Sequence, residues 1–261
     1  MYLPMRIQSA IGQRKHQIDT IGLSGAGIYI YDDLVLKIQK NSSEAENELK
    51  MLAWLDKKLP VPKIHEHICE NGYMYIIMDK CSGMMACDPY FMENPQQQAK
   101  LLARAIHQLW SVDIADCPCK WPLQKLLKAA EENVINHRVD IENTQPDTFG
   151  PKGFASPEAL LQWLKDNQPE QRCVLSHGDF CLPNVFLTDK GITGYIDLGR
   201  CGVSDPWRDI ALCCRSLENN YGGLYGGKRY NGYNRQQLFD MLEIHPNDEL
   251  LRYYILLDEL F

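Results

Sequence analysis

Residues 176–184 read Ser-His-Gly-Asp-Phe-Cys-Leu-Pro-Asn and residues 195–200 read Tyr-Ile-Asp-Leu-Gly-Arg, so Asp179, Asn184 and Asp197 fall on two neighbouring segments of loop and strand. Phosphoryl transfer from a nucleotide needs such a set: a carboxylate to orient and deprotonate a hydroxyl, and an amide with a second carboxylate to hold Mg²⁺ against the phosphates. Asp179 and Asn184 lie five positions apart, inside one loop. The short apolar stretches 185–187 and 194–196 flank a Thr188-Asp189-Lys190-Gly191 turn, which predicts a hairpin that folds Asp197 back beside Asn184. Placed singly, the same residue types are ordinary turn formers. Their chemical meaning depends on the elements around them.

The stretch 18–38 alternates short apolar runs with Gly22, Gly25 and Gly27, which predicts an antiparallel hairpin whose tip spans 22–27. Glycines there let backbone N–H groups approach an anion, and Ser24 adds a hydroxyl donor. The same composition also suits a plain turn. In 34–38, Lys37 interrupts an apolar strand, and a lysine inside a small sheet needs an anionic partner. The helix expected over 43–55 offers several. Ser43 as N-cap with Glu46 three residues on makes a capping box that accounts for Glu46. Glu44 and Glu46 then read as solvated first-turn acids favoured by the helix dipole, which leaves Glu48 as the better partner for Lys37. A second apolar strand over 72–78 leads out of this sheet.

From Pro95 the period becomes helical, with Ala99, Leu102, Ala103, Ile106, Leu109 and Trp110 on one face; His107 on the same helix reads as structural. Further helices are expected over 123–139, 157–164 and 207–217, and an irregular acidic stretch covers 140–147. Residues 219–234 are rich in Gly, Tyr and Asn without helical period and read as a mobile surface loop. A final helix from Leu250 carries Tyr254, Leu257 and Phe261 on one face.

A chain of 261 residues with 45% hydrophobic and 23% charged content suffices for two lobes with real cores. The N-terminus lacks a signal-peptide pattern, and no stretch approaches the ~18 apolar residues of a membrane span, so a cytoplasmic protein with no membrane partner is expected. Ten cysteines contain no Cys-x-x-Cys pair, and the spacings of Cys117/Cys119 and Cys213/Cys214 do not suit one tetrahedral metal. They read as reduced, mostly buried thiols. A net charge of −7 argues against a nucleic-acid partner, which normally calls for a basic stripe. It suits either a cationic substrate or simple solubility.

His177-Gly178-Asp179 with Ile196-Asp197-Leu198-Gly199-Arg200 downstream resembles the catalytic and metal-binding loops of the aminoglycoside phosphotransferases, a branch of the protein-kinase-like fold. The ending Tyr253-Tyr254-Ile255-Leu256-Leu257-Asp258-Glu259-Leu260-Phe261 resembles their 3′ subfamily, and the likeness spans most of the chain. The resemblance implies an α+β, two-lobed fold: an N-lobe of five antiparallel strands over 1–78, a hinge at 79–83, and a mainly helical C-lobe over 84–261. It implies transfer of a phosphoryl group from ATP or GTP, with Mg²⁺, to a hydroxyl of an aminoglycoside, by a monomer or weak dimer. Asp179 would be the base, Asn184 and Asp197 the metal ligands, and His177 a brace. Lys37, held by Glu48, would meet the phosphates under Ser24 and Gly25. Met78, Asp79 and Cys81 would hold the purine, and Glu142, Arg200, Asp258, Glu259 and the carboxylate of Phe261 would line the antibiotic site. The chain departs from the pattern at Val35, where the family places an adenine-stacking tyrosine, and at Gln145, where it places an acid. Kinases of choline, amino sugars or macrolides share the same loops, and a nucleotide-binding pseudokinase is a third reading, disfavoured because Lys37, Glu48, Asp179, Asn184 and Asp197 are all present.

Overall fold

The computed structural model describes residues 3–18, 26–224 and 227–261. After the helix α1 (Met5–Ile11) come strands β1 (Gln17–Ile18), β2 (Gly27–Ile30) and β3 (Leu34–Lys40), helix α2 (Ser43–Leu55), and strands β4 (Ile64–Glu70) and β5 (Tyr73–Asp79). The strands form one antiparallel sheet in the order β1-β2-β3-β5-β4. Side chains alternate across a strand, and the alternation divides the sheet cleanly. Leu36, Ile38, Tyr75 and Ile77 pack with Ile7 and Ile11 of α1. On the opposite face Met74, Ile76 and Met78 join Ala45, Met51, Leu52 and Leu55 of α2. Lys37, between Leu36 and Ile38 and in register with Ile76, is therefore delivered to the α2 face.

The N-cap of α2 is Ser42, whose hydroxyl accepts from the Ala45 N–H at 3.1 Å. This corrects the expected Ser43–Glu46 capping box by one residue; with adjacent serines, only the backbone geometry chooses between them.

The remaining elements are β6 (Met84–Met85), α3 (Pro89–Met92), α4 (Pro95–Trp110), α5 (Leu123–Ile135), α6 (Pro157–Asp166), β7 (Val174–Ser176), β8 (Val185–Thr188), β9 (Gly191–Tyr195), β10 (Gly202–Ser204), α7 (Pro206–Gly222), α8 (Arg235–Leu242) and α9 (Asp248–Asp258). The hairpin expected from the apolar stretches is β8–β9, extended by β6 into a three-stranded sheet, while β7 pairs with β10. One continuous core runs from α2 through α4, α5, α6, α7 and α9. Its centre is α7, where Ile210, Ala211, Cys213, Cys214 and Leu217 are all buried.

That helix is longer than the 207–217 expected and absorbs the start of the Gly/Tyr/Asn-rich stretch. Tyr221 is buried, its hydroxyl donates to Gln98 of α4 at 2.9 Å, and its ring stacks on Tyr233 at 5.0 Å. This part of 219–234 is thus anchored to the core rather than a mobile surface loop. α7 stops at Gly223, in the left-handed region at φ +72°, where glycine carries no Cβ penalty. The ten thiols are all free, but four are buried, four half-buried, and Cys69 and Cys173 exposed, a wetter set than expected. No helix among the described residues is long and apolar enough to cross a membrane.

Candidate active site

The loop after β7 is held from below by α7. Asp209, fully buried, accepts from Ser176 Oγ at 2.9 Å, from the His177 N–H at 2.7 Å and from the Gly178 N–H at 2.9 Å. Burial pushes its carboxyl above the usual range, and the hydrogen bonds from those amides with the charge of Arg208 offset part of the shift. Gly178 has φ +83°, and a Cβ there would run into the carbonyl of Arg200. A side chain at 178 is excluded twice, by conformation and by space. His177 is buried, lies edge-on to Phe180 at 5.9 Å, and its Nδ1 accepts from the Asp179 N–H at 3.3 Å. Those contacts make it a brace for the loop.

Asn184 Nδ2 donates to both the carbonyl and Oδ2 of Asp179, each at 3.0 Å. Its amide nitrogen is thereby committed, and the carbonyl oxygen is the atom it has to offer a cation. The Ile196 N–H donates to the Asn184 carbonyl at 3.0 Å, which ties the loop to the start of the next segment and brings Asp197 alongside. Asp197 adopts φ +59°, ψ +52°, a left-handed conformation that costs a non-glycine residue free energy and clusters at functional sites. Asn47 of α2 holds that conformation: its buried amide donates to the carbonyls of Gly199 and Cys201, each at 2.9 Å.

Lys37 Nζ donates to Glu48 at 2.8 and 2.9 Å and also to Asp197 Oδ1. Gln39, two residues along the same strand, donates to Glu48 Oε2 at 2.7 Å. Burial disfavours the charged ammonium, yet Glu48 and Asp197 outweigh it and raise the pKa of Lys37. One ammonium faces two carboxylates, with Asp179 on the same cleft. The oxygen donors of Asp197 and Asn184 suit a small hard dication that keeps waters and phosphate oxygens for its other positions.

Two cavities meet at these residues. A polar cleft of about 590 Å³ is lined by Lys37, Glu48, Asp179, Asp197 and Arg200. An apolar slot of about 230 Å³ runs from Lys37 and Asp197 to Met78, Asp79 and Cys81, walled by Ile28, Val35 and Ile196. Val35 is at the slot as expected, where Ile28, Ile196 and Phe186 also line the wall. A Cβ at Gly194 would strike the Cys81 thiol, so the glycine leaves room for Cys81, which lines the slot. Ser24 and Gly25 lie outside the described residues.

At the chain end, Asp258 is met by Arg200 at 3.4 Å and by Arg215, while Glu259 is met by Arg215 at 3.3 Å and by the Gln145 N–H at 3.0 Å. Burial opposes the charge on Asp258, but Arg215 and Arg200 win and lower its pKa. For Glu259 burial prevails over Arg215 and raises it. Arg200 also stacks over the Phe261 ring at 5.2 Å and pairs with Glu44 at 3.0 Å, so Glu44, exposed in the first turn of α2 as expected, has an ion-pair partner as well. Glu142 is exposed on a 3₁₀ turn, Ile141–Asn143; from this insert it is Gln145 that reaches the chain end. The sequence reading missed Asp209 and Arg215. Asp209 had one local signal, an acid in the first turn of a helix after a strand.

A five-stranded antiparallel sheet carrying a lysine–glutamate pair, set over a helical body that carries the His-Gly-Asp loop, is the protein-kinase-like architecture of the small-molecule phosphotransferases. A model of the "Phosphotransferase enzyme family" matches residues 21–246, and the chain belongs to that family. It is 35% identical over 255 residues to an aminoglycoside 3′-phosphotransferase of Enterococcus faecalis, covering 93% of this chain and 92% of that one. It is likewise 35% identical over 254 residues to one of Staphylococcus aureus, with the same coverages. A crystal structure of an aminoglycoside-3′-phosphotransferase of type VIII superposes with a TM-score of 0.80 at 26% identity, covering 98% of this chain and 97% of that one.

Proposed function

We propose that this chain transfers the γ-phosphoryl group of ATP or GTP to the 3′-hydroxyl of an aminoglycoside. The observation that carries the reading is the convergence on one cleft of Lys37, paired with Glu48 and Asp197, and of Asp179, fixed by Asn184. Residues 1–78 would present the nucleotide, 79–83 would act as hinge, and 84–261 would hold the acceptor. The purine would occupy the apolar slot against Met78, with the Asp79 carbonyl and Cys81 N–H at its edge. Lys37 would donate to the α/β-phosphates while Glu48 and Gln39 keep it aimed. Asn184 and Asp197 would hold Mg²⁺, which supplies charge neutralisation on the phosphoryl oxygens. Asp179 would orient the acceptor hydroxyl and receive its proton as the oxygen bonds to phosphorus and the nucleoside diphosphate leaves. Its help is mainly positioning, because a loose, metaphosphate-like transition state needs little nucleophile activation.

The acceptor is read as cationic because the cleft carries more carboxylate than ammonium and because the relatives named above act as aminoglycoside 3′-phosphotransferases. Nucleotide consumption measured against a panel of aminoglycosides and choline tests the class, and NMR of the product tests the position. Turnover of choline alone would overturn the acceptor. Phosphate on a 2″-hydroxyl would overturn the 3′ assignment and leave the phosphotransferase standing.

A further inference from the structure

Asp179 is held at both oxygens. Oδ2 accepts from Asn184 Nδ2 at 3.0 Å, and Oδ1 accepts from the thiol of Cys181 at 3.1 Å. The second contact comes from a residue that is itself fixed. The Cys181 N–H donates to the Asp179 carbonyl at 2.8 Å, and the next amide, Leu182 N–H, donates to Ser216 Oγ of α7 at 3.0 Å. The thiol is thus clamped against the carboxylate by the same helix that carries Asp209. A thiol is protonated at neutral pH, and this one is placed to donate.

We propose that Cys181 is a positioning residue for the phosphoryl transfer, its S–H fixing the plane in which the Asp179 carboxylate meets the acceptor hydroxyl. This rests on Asp179 being the group that receives the proton. The physical need is plain: rotation of an aspartate carboxylate about χ2 is broad and weakly restrained. A donor on each oxygen removes that freedom. Asn184 cannot do so alone, because one bond to one oxygen leaves the carboxylate free to swing about it. Reaction geometry at the level of 1 Å is worth on the order of 10² in rate, so part of that factor is at stake in one orienting bond.

The test compares wild type, Cys181→Ala and Cys181→Ser, with kinetics read on whichever alcohol of the aminoglycoside and choline panel the wild type phosphorylates. Cys181→Ala should lower kcat about tenfold, the effect of a single hydrogen bond at a charged group, with both KM values and the melting temperature unchanged. Cys181→Ser restores a donor and should recover most of the loss. In parallel, the S–H stretch of Cys181, isolated as the difference from Cys181→Ser, should lie at the hydrogen-bonded position and shift back in Asp179→Ala. Wild-type kcat in Cys181→Ala, no recovery in Cys181→Ser, a loss that tracks melting temperature, or a free S–H stretch would each overturn the inference. If the wild type phosphorylates nothing in the panel, the functional reading fails, and the infrared comparison alone then decides whether the thiol holds Asp179.

Discussion

Lys37 faces Glu48 and Asp197, one cation against two carboxylates, whereas Asp258 and Glu259 at the chain end are met by Arg200 and Arg215, two cations against two carboxylates. The first cluster keeps an excess of negative charge with Asp179 beside it on the cleft. It gains by accepting another cation. The second is balanced internally, so a substrate ammonium arriving there must share or displace an arginine. Carboxylates of the same chemistry therefore have different availability. The acids that looked most like free substrate ligands in the sequence are the better neutralised ones.

Removing charge from the first cluster should have the largest consequences. Asp179→Ala is expected to lower kcat by about 10² or more with little change in nucleotide affinity, since its orientation of the hydroxyl acts in the transition state. Asp197→Asn should instead abolish productive Mg²⁺-nucleotide binding, seen as loss of the magnesium dependence of nucleotide affinity in calorimetry. Near-normal kcat in Asp179→Ala would remove the catalytic assignment and with it the asymmetry between the clusters.

Next in size are changes that strand a buried charge. Lys37→Met leaves Glu48, 2% exposed, without its ammonium, and should destabilise the fold by about 3–5 kcal/mol in urea unfolding. Asp258→Asn should also lower stability at neutral pH, because it leaves Arg200 and Arg215 undercompensated. Here the sign with pH is fixed. The folded pKa of Asp258 lies below its ordinary 3.8, so its stabilisation is present above that value and is lost as pH falls through the folded one. The gap between wild type and Asp258→Asn should therefore close in strong acid.

Glu259 should behave oppositely to its neighbour. Its folded pKa is raised above 4.5, so its ionised form costs stability that grows as pH rises from 4.5 through the raised value. Glu259→Gln is then expected to leave the neutral-pH melting temperature unchanged or slightly higher. If Glu259 also meets a substrate ammonium, the same variant should raise KM for the antibiotic about tenfold, the cost of one charge-assisted hydrogen bond, with KM for nucleotide unchanged. A matching rise in both KM values would make this acid structural.

What the sequence made legible follows from distance along the chain. Asp179 and Asn184 share a loop, a hairpin of predictable length returns Asp197, and Lys37 stands out as the charged residue that interrupts the apolar run 34–38. Glu48 emerged once Glu46 was given to the helix cap and the resemblance pointed to a carboxylate of that helix as the partner of Lys37. The rest depended on contacts with no local pattern: Asp209 reaches His177 across 32 positions, and Glu44 reaches Arg200 across 156. Composition also misled at Tyr221, where glycines and tyrosines suggested loop. There tertiary packing on Gln98 and Tyr233 keeps the helix going.

The smallest expected effect lies at the pair that joins the two clusters, Glu44 to Arg200. Glu44's side chain is 50% exposed, and a pair in water of that kind contributes about 0–1 kcal/mol. Glu44→Gln should therefore barely move the melting temperature. Its value is as a probe of coupling. Arg200 touches Glu44 from the nucleotide side and Asp258 from the chain end, so any transmission between the clusters along this route passes through it. If the clusters are independent, the effects of Glu44→Gln and Glu259→Gln on KM for each substrate should add within about 0.3–0.5 kcal/mol in a double-mutant cycle. A larger interaction term in the cycle would mean that Arg200 carries charge information between them. The contrast between an open acidic site and a closed, balanced one would then have to give way to a single network.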